Sequence, residues 1–122
     1  MSKTVVFDFD GVIHSYISGW QGITVANDPP TEGIKDAITR IRDDGYNVVV
    51  VSARCAESDG LETVVNYLAS NEIVVDAVLA HKPPAIVYID DRAICFDGKP
   101  GTLLDQIREF EPWYKKETQI YD

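Results

Sequence analysis

The chain has 122 residues and a formal net charge of −9 at pH 7, which disfavours coating of nucleic acid or anionic membrane without excluding a local basic patch. This length predicts a single domain over residues 1–122. Two cysteines without C-x-x-C spacing favour a cytoplasmic location, and the sequence shows neither a signal peptide nor an apolar run of roughly 18 residues, so no membrane partner is expected.

The first apolar run, V-V-F-D-F-D-G, predicts a buried strand over residues 4–9 that ends at Asp8 and Asp10. About twenty residues follow, from Gly11 to Thr31, where a strand–helix loop usually takes about 2–6. We predict a flap insert over about residues 12–30. It forms either a lid or wall of a site, or a small hairpin that shields an edge of the sheet.

Further along the chain, segments with apolar residues at i, i+3, i+4 and i+7 predict helices. They cover residues 34–41, 61–68 and 102–110, and the first lies between Pro29-Pro30-Thr31 and Gly45. Near-continuous β-branched runs over residues 47–52, 76–80 and 85–89 predict further strands covered on both faces. The tail from Glu111 is expected to be irregular, with Trp113 and Tyr114 packing back on the body.

This order of elements predicts an α/β fold, a Rossmann-like three-layer sandwich with a mostly parallel central sheet. Sheets of this kind bind ligands at the carboxyl ends of their strands. Each predicted strand ends in polar residues that would meet at that edge. These are Asp8, Asp10, Ser52, Arg54, Lys82, Asp90 and Asp91.

Four carboxylates cannot lie close together in ionised form unless a cation neutralises them or some of them are protonated. Two carboxylates about 4 Å apart repel by roughly 4 kcal/mol at an effective dielectric of ~20. No cysteine pair or histidine pair shares this edge, and hard oxygen ligands favour Mg²⁺. Magnesium beside a lysine and a serine suits a phosphoryl group. An aspartate can capture phosphorus as an aspartyl-phosphate, and a second one can act as acid and then as base.

The motifs D-F-D-G, V-V-V-V-S-A-R, a lysine and V-Y-I-D-D-R appear in order between residues 4 and 92. Together they resemble the haloacid dehalogenase (HAD) superfamily. The resemblance implies that Asp8 is the nucleophile and that Asp10 is the general acid/base, with its backbone carbonyl also on Mg²⁺. It implies that Ser52 and Lys82 hold the phosphoryl group.

The same resemblance places the acidic pair on the metal, with Asp91 as a direct ligand and Asp90 acting through water or orienting its neighbour. An aspartate two residues after the nucleophile marks phosphatases and phosphotransferases in this superfamily. No segment is long enough for a large cap domain, so the chain looks like a small capless member. A capless site is either open to a large substrate or covered by another subunit of a homo-oligomer.

The sequence allows two interpretations for several residues. Arg54 either touches the substrate phosphate or forms an ion pair with a nearby acid. Ser52 at the end of its strand is also a typical helix N-cap. For His14, Trp20 and His81, ordinary packing or exposure is favoured over a role in the site.

The function that follows is a Mg²⁺-dependent phosphomonoester hydrolase acting on a small phosphorylated metabolite or nucleotide. One alternative is a polynucleotide or protein phosphatase, since S-A-R and D-D-R are also similar to polynucleotide 3′-phosphatase and carboxyl-terminal-domain phosphatase relatives. The other is a catalytically silent HAD-like binding protein. A phospho-accepting receiver domain fits poorly, because it places its acidic pair first and its lysine last.

Overall fold

The computed structural model of the protein describes residues 3–115 and contains a four-stranded sheet. The strands are β1 (Thr4–Asp8), β2 (Asn47–Val51), β3 (Ala77–Leu79) and β4 (Val87–Ile89). All three pairings between them are parallel, and their order across the sheet is β3-β2-β1-β4. The α/β class with a parallel central sheet is therefore confirmed.

Three α-helices accompany the sheet at the predicted places. They are α1 (Ile34–Asp43), α2 (Ser58–Ser70) and α3 (Leu103–Glu109), with short 3₁₀ turns at Ala53–Ala56 and Pro100–Thr102. The predicted stop at Gly45 follows α1, and its φ of 97° is one that glycine adopts without strain. The predicted strands are each one or two residues too long, as is usual for boundaries.

The main core lies between the sheet and two helices. Ile38 of α1 and Val64 and Leu68 of α2 pack with Phe7 of β1 and Val50 of β2 in one buried cluster. Each such side chain contributes about 1.5–3 kcal/mol by leaving water. This packing fixes the direction of β1 and β2, and so the place where their carboxyl ends emerge.

The opposite face of the sheet carries a smaller cluster built on Val6, Val49 and Val51, with Ala85 packed against it. Ala85 belongs to the connection over residues 80–86, which joins the two edge strands without a helix. A connection this short covers only part of that face. Val87 and Tyr88 of β4 are consequently 46% and 44% exposed, which corrects the expectation that every strand is covered on both faces.

Helix α3 forms where its apolar periodicity predicts, but Leu104 and Ile107 are 57% and 62% exposed. The tail does pack back on the body: the indole Nε1 of Trp113 donates a 2.7 Å hydrogen bond to the carbonyl of Gly11. The remainder of the predicted irregular tail, residues 116–122, lies outside the described residues. None of the described helices is long and apolar enough to cross a lipid bilayer.

Candidate active site

Three carboxylates converge at the carboxyl edge of the sheet. Asp8 ends β1, while Asp90 and Asp91 directly follow β4, which pairs with β1. One oxygen from each of the three carboxylates lies within 4.8 Å of the others. The structure therefore brings together the nucleophile candidate and the acidic pair, as expected for parallel strands ending at one edge.

The surroundings of the cluster disfavour the ionised form of Asp8. Burial, a hydrogen bond with Asp91, and the charges of Asp90 and Asp91 raise the pKa of Asp8 to about 8. Loss of hydration and neighbouring like charges both disfavour the ionised form. In the absence of a cation, Asp8 is therefore protonated at neutral pH.

Asp10 lies at the same edge but in a different environment. Its carboxylate accepts hydrogen bonds from Arg54, through Nε at 2.8 Å and Nη2 at 3.0 Å, and from His14 Nδ1 at 2.8 Å. Burial raises the pKa of Asp10, but the hydrogen bonds and charges of His14 and Arg54 outweigh it and leave the pKa below its ordinary value. Asp10 is thus held as a carboxylate.

Arg54 links this acid to the flap insert. Its guanidinium is 1% exposed, and Nη1 donates to the carbonyls of Gly22 and Ile23 at 3.0 and 2.8 Å. The ring of Trp20 stacks on it with a centroid distance of 4.7 Å. Of the two interpretations for Arg54, the ion pair with a nearby acid is the one present. The insert is fastened to Asp10 through this side chain.

His14 is buried with 2% exposure and completes the network around Asp10. Its Nε2 accepts a hydrogen bond from the backbone N–H of Asp28 at 3.2 Å, so Nδ1 carries the proton that it donates to Asp10. The ring also packs against Phe9 and Tyr67. Packing, the favoured interpretation for His14, is therefore combined with a polar contact to a candidate catalytic residue.

Ser52 and Lys82 lie at the same edge. Ser52 is buried, and its hydroxyl accepts from the backbone N–H of Arg54 at 3.2 Å, which is the N-cap interaction that the sequence left open. Lys82 is 54% exposed at its side chain, and its ammonium lies 3.3 Å from Asp90. His81, beside Lys82, is exposed.

The C-terminal segment supplies a residue that sequence reasoning did not place in the site. The hydroxyl of Tyr114 donates to a carboxylate oxygen of Asp91 at 3.0 Å and lies 3.4 Å from Arg92 Nη2. Gly11, with φ of 83°, leaves room for this arrangement, because a Cβ there would collide with the Asp91 carboxylate and the Tyr114 ring. No local pattern connects Tyr114 to Asp91, since 22 residues separate them in the chain.

A hard divalent cation fits this donor set. Asp8, Asp90 and Asp91 offer only oxygen ligands, and burial together with the two neighbouring acids raises the pKa of Asp8. Mg²⁺ is bound in proteins by a small number of carboxylates together with water and phosphate oxygens. These three residues are therefore the ones that would hold it.

Comparison with known proteins finds similar folds among solved structures. No protein-family model and no curated protein matches the sequence. Two solved structures of a Pnkp1/Rnl/Hen1 complex, one described as an RNA repair complex, contain a similar chain. The TM-scores are 0.56 and 0.57 at 20% and 19% identity over 91% and 93% of this chain.

This chain spans only 33% and 36% of those two chains. A looser similarity, with a TM-score of 0.44 and 23% identity, covers 87% of this chain and 62% of D,D-heptose 1,7-bisphosphate phosphatase from B. bronchiseptica, crystallised with magnesium and phosphate. At 20% and 19% identity, the similarity to the two chains of the Pnkp1/Rnl/Hen1 complex is one of fold. The described residues adopt the same α/β fold as part of a chain of the Pnkp1/Rnl/Hen1 complex.

Proposed function

We propose that this chain is a small HAD-superfamily phosphatase: a Mg²⁺-dependent phosphomonoester hydrolase that acts through an aspartyl-phosphate. The proposal rests on one observation above all. Carboxylate oxygens of Asp8, Asp90 and Asp91 lie within 4.8 Å of one another at the carboxyl edge of a parallel sheet, the edge at which Asp10 also lies. Within residues 1–122 we propose one HAD-like domain with a flap at about residues 12–30 and no cap.

Asp8 is the proposed nucleophile. A bound Mg²⁺, held by Asp8, Asp91 and Asp90 and by the backbone carbonyl of Asp10, would supply the positive charge that ionises Asp8 and offsets charge on the phosphoryl oxygens. The oxygen of Asp8 attacks phosphorus, and the bond from phosphorus to the leaving oxygen breaks. We assign binding of the phosphoryl oxygens to the hydroxyl of Ser52 and the ammonium of Lys82.

Asp10 is the proposed acid/base. Its pKa, lowered by His14 and Arg54, favours the carboxylate, so in the resting state it is better prepared to accept a proton than to donate one. It is therefore suited to the second step, in which it takes a proton from the water that hydrolyses the aspartyl-phosphate. In the first step Asp10 must carry a proton to the leaving oxygen, because an alkoxide leaves poorly without protonation.

The preferred substrate is a small phosphorylated metabolite or nucleotide, in keeping with the charge of −9. A phosphorylated polynucleotide end is the second candidate. It is supported by the fold shared with a chain of an RNA repair complex, of which this chain matches only a third.

The test is release of phosphate from p-nitrophenyl phosphate with and without Mg²⁺. We expect turnover that requires Mg²⁺, loss of at least about 10³-fold in Asp8→Asn, and a comparable loss in Asp91→Asn. Asp44→Asn, a change of the same chemistry at the exposed far end of α1, should keep full activity. Equal rates in the wild type and Asp8→Asn would contradict the mechanism, and no release from any phosphomonoester would favour the silent binding protein.

A further inference from the structure

A groove of about 840 Å³ lies between the flap and the C-terminal segment. This volume is in the range of about 300–1,000 Å³ that is typical of small-molecule sites. Its lining combines four aromatic rings with two cationic side chains. These residues are Tyr16, Trp20, Arg92, Trp113, Tyr114 and Lys115.

The groove adjoins the carboxylate cluster. Two of its lining residues contact Asp91: the Tyr114 hydroxyl at 3.0 Å and Arg92 Nε at 3.9 Å. The four acids do not themselves line the groove among the described residues, so the phosphoryl site and the groove are neighbours. A phosphate ester bound at Asp8 would therefore place its leaving group along this groove.

The aromatic residues of the groove offer exposed ring faces. Trp20 is 58% exposed, although its ring is held in place on the guanidinium of Arg54, and Trp113 is 37% exposed. The rings of Tyr16 and Tyr114 meet edge to face at 5.7 Å. Exposed large rings fixed in this way are suited to stack on a planar ligand, an interaction that contributes about 1–3 kcal/mol for a nucleobase.

Backbone strain marks the same place. Tyr16 has φ of 62°, in the left-handed region that costs a residue with a side chain roughly 1–2 kcal/mol. The ring of Tyr16 lines the groove and lies beside that of Tyr114. Strain of this kind is concentrated at binding and catalytic sites.

We propose that this groove is the leaving-group subsite and that it selects phosphomonoesters carrying a planar heteroaromatic ring, which makes the substrate a nucleoside monophosphate. The inference rests on the proposed phosphatase function. Stacking on Trp20 and Trp113 distinguishes a nucleotide from a sugar phosphate. Arg92 and Lys115 supply two positive charges at the groove against one negative charge from Glu32, in a protein whose net charge is −9.

The binding test uses the two tryptophans of the sequence, both of which line the groove, so that intrinsic tryptophan fluorescence reports on this surface. Asp8→Asn with Mg²⁺ prevents turnover during the titration. We expect adenosine 5′- or 3′-monophosphate to quench the emission and to bind at least 10-fold more tightly than ribose 5-phosphate, which has no base. Equal affinities would overturn the proposal.

The kinetic test compares kcat/KM of the wild-type protein for the adenosine monophosphates and for ribose 5-phosphate. Trp20→Ala should lower the ratio of the two values about 10-fold, and Trp20→Phe should largely restore it. Phe96→Ala, which removes a ring that is 59% exposed outside the groove, should leave the ratio unchanged.

The two proposals fail in different ways. Hydrolysis of all these esters without preference for the base contradicts the leaving-group subsite and leaves the phosphatase intact. Absence of hydrolysis contradicts the phosphatase, and the fluorescence titration then still decides whether the groove binds the base.

Discussion

The candidate site consists of two halves that differ in how their charges are balanced. On one side, Asp10 is enclosed by Arg54 and His14, and its charge is matched by groups of the same chain. On the other, the cationic groups found near Asp8, Asp90 and Asp91 within residues 3–115 are the exposed ammonium of Lys82, 3.3 Å from Asp90, and the guanidinium of Arg92, 3.9 Å from Asp91. The charge of the first half is matched within the chain, whereas the second half is the one that we propose binds a cation.

This difference follows from where the two halves lie in the fold. Asp10 and Arg54 follow β1 and β2, the two central strands, whose side chains are buried under α1 and α2. The acidic pair follows β4, a three-residue edge strand with exposed side chains. We therefore expect substitutions of Arg54 or His14, which enclose Asp10, to affect mainly stability, and substitutions in the second half to affect mainly activity and metal binding.

The largest effect on stability is expected for Arg54→Met. The change leaves Asp10 without its main cationic partner and removes the donors that serve the carbonyls of Gly22 and Ile23. Removing one partner of a buried ion pair costs about 3–5 kcal/mol. Urea denaturation should show this loss, while Arg108→Met on exposed α3 should stay within about 0.5 kcal/mol of the wild type. Similar urea midpoints for Arg54→Met and Arg108→Met would contradict the proposed role of the first half in stability.

Lys82→Met should separate activity from folding. Because the ammonium is exposed and its contacts with Asp90 and with the ring of Tyr88 are at the surface, its loss should change the free energy of unfolding by less than about 0.5 kcal/mol. Removing a cation that stabilises phosphoryl charge should lower kcat about 10²-fold. Lys99→Met is the matched control, since Lys99 is also exposed and lies outside the site. An active Lys82→Met enzyme would remove this lysine from the mechanism.

Magnesium should stabilise the protein by binding to the second half of the site, at Asp8, Asp90 and Asp91. At a free concentration 100 times Kd, binding contributes about 2.7 kcal/mol, which thermal unfolding detects. Because the pKa of Asp8 is raised to about 8 without metal, Mg²⁺ must displace a proton below that pH, and its affinity should fall as the pH is lowered from 8.5 to 6.5. Asp91→Asn should abolish the stabilisation. A pH-independent affinity would mean that Asp8 is not a ligand.

The smallest effect concerns an ion pair far from the catalytic edge. Hydrogen bonds from Arg42 and from the backbone N–H of Val48 hold the pKa of Asp76 below its ordinary value. Its contribution to stability is therefore present above the unfolded pKa of about 3.9 and is lost as the pH falls through the lower folded value. Asp76→Asn should cost about 1 kcal/mol at pH 7 and almost nothing near pH 2 in urea denaturation. If the difference in the free energy of unfolding between the wild type and Asp76→Asn were the same at pH 7 and near pH 2, the effect would come from the shape of the side chain and not from its charge.

Much of this arrangement follows from the sequence because it depends on local periodicity. The β-branched runs and the spacing in α1 and α2 predict elements, and parallel strands bring their last residues to one edge, which is where Asp8, Ser52 and Asp90 lie. The contacts of Arg54 with the flap and of Tyr114 with Asp91 depend on the paths of irregular segments. Periodicity also shows that α3 has an apolar face, but not whether another element covers it.

The pairing of β1 with β4 has a consequence for the order of assembly. Val5 meets Val48 and also Val87, and the second contact closes a far longer loop of chain. Contacts of high sequence separation cost more entropy to form and arise late on a folding pathway. We therefore expect catalytic competence to be acquired in the final kinetic phase of refolding, after the bulk of the helical signal has already recovered.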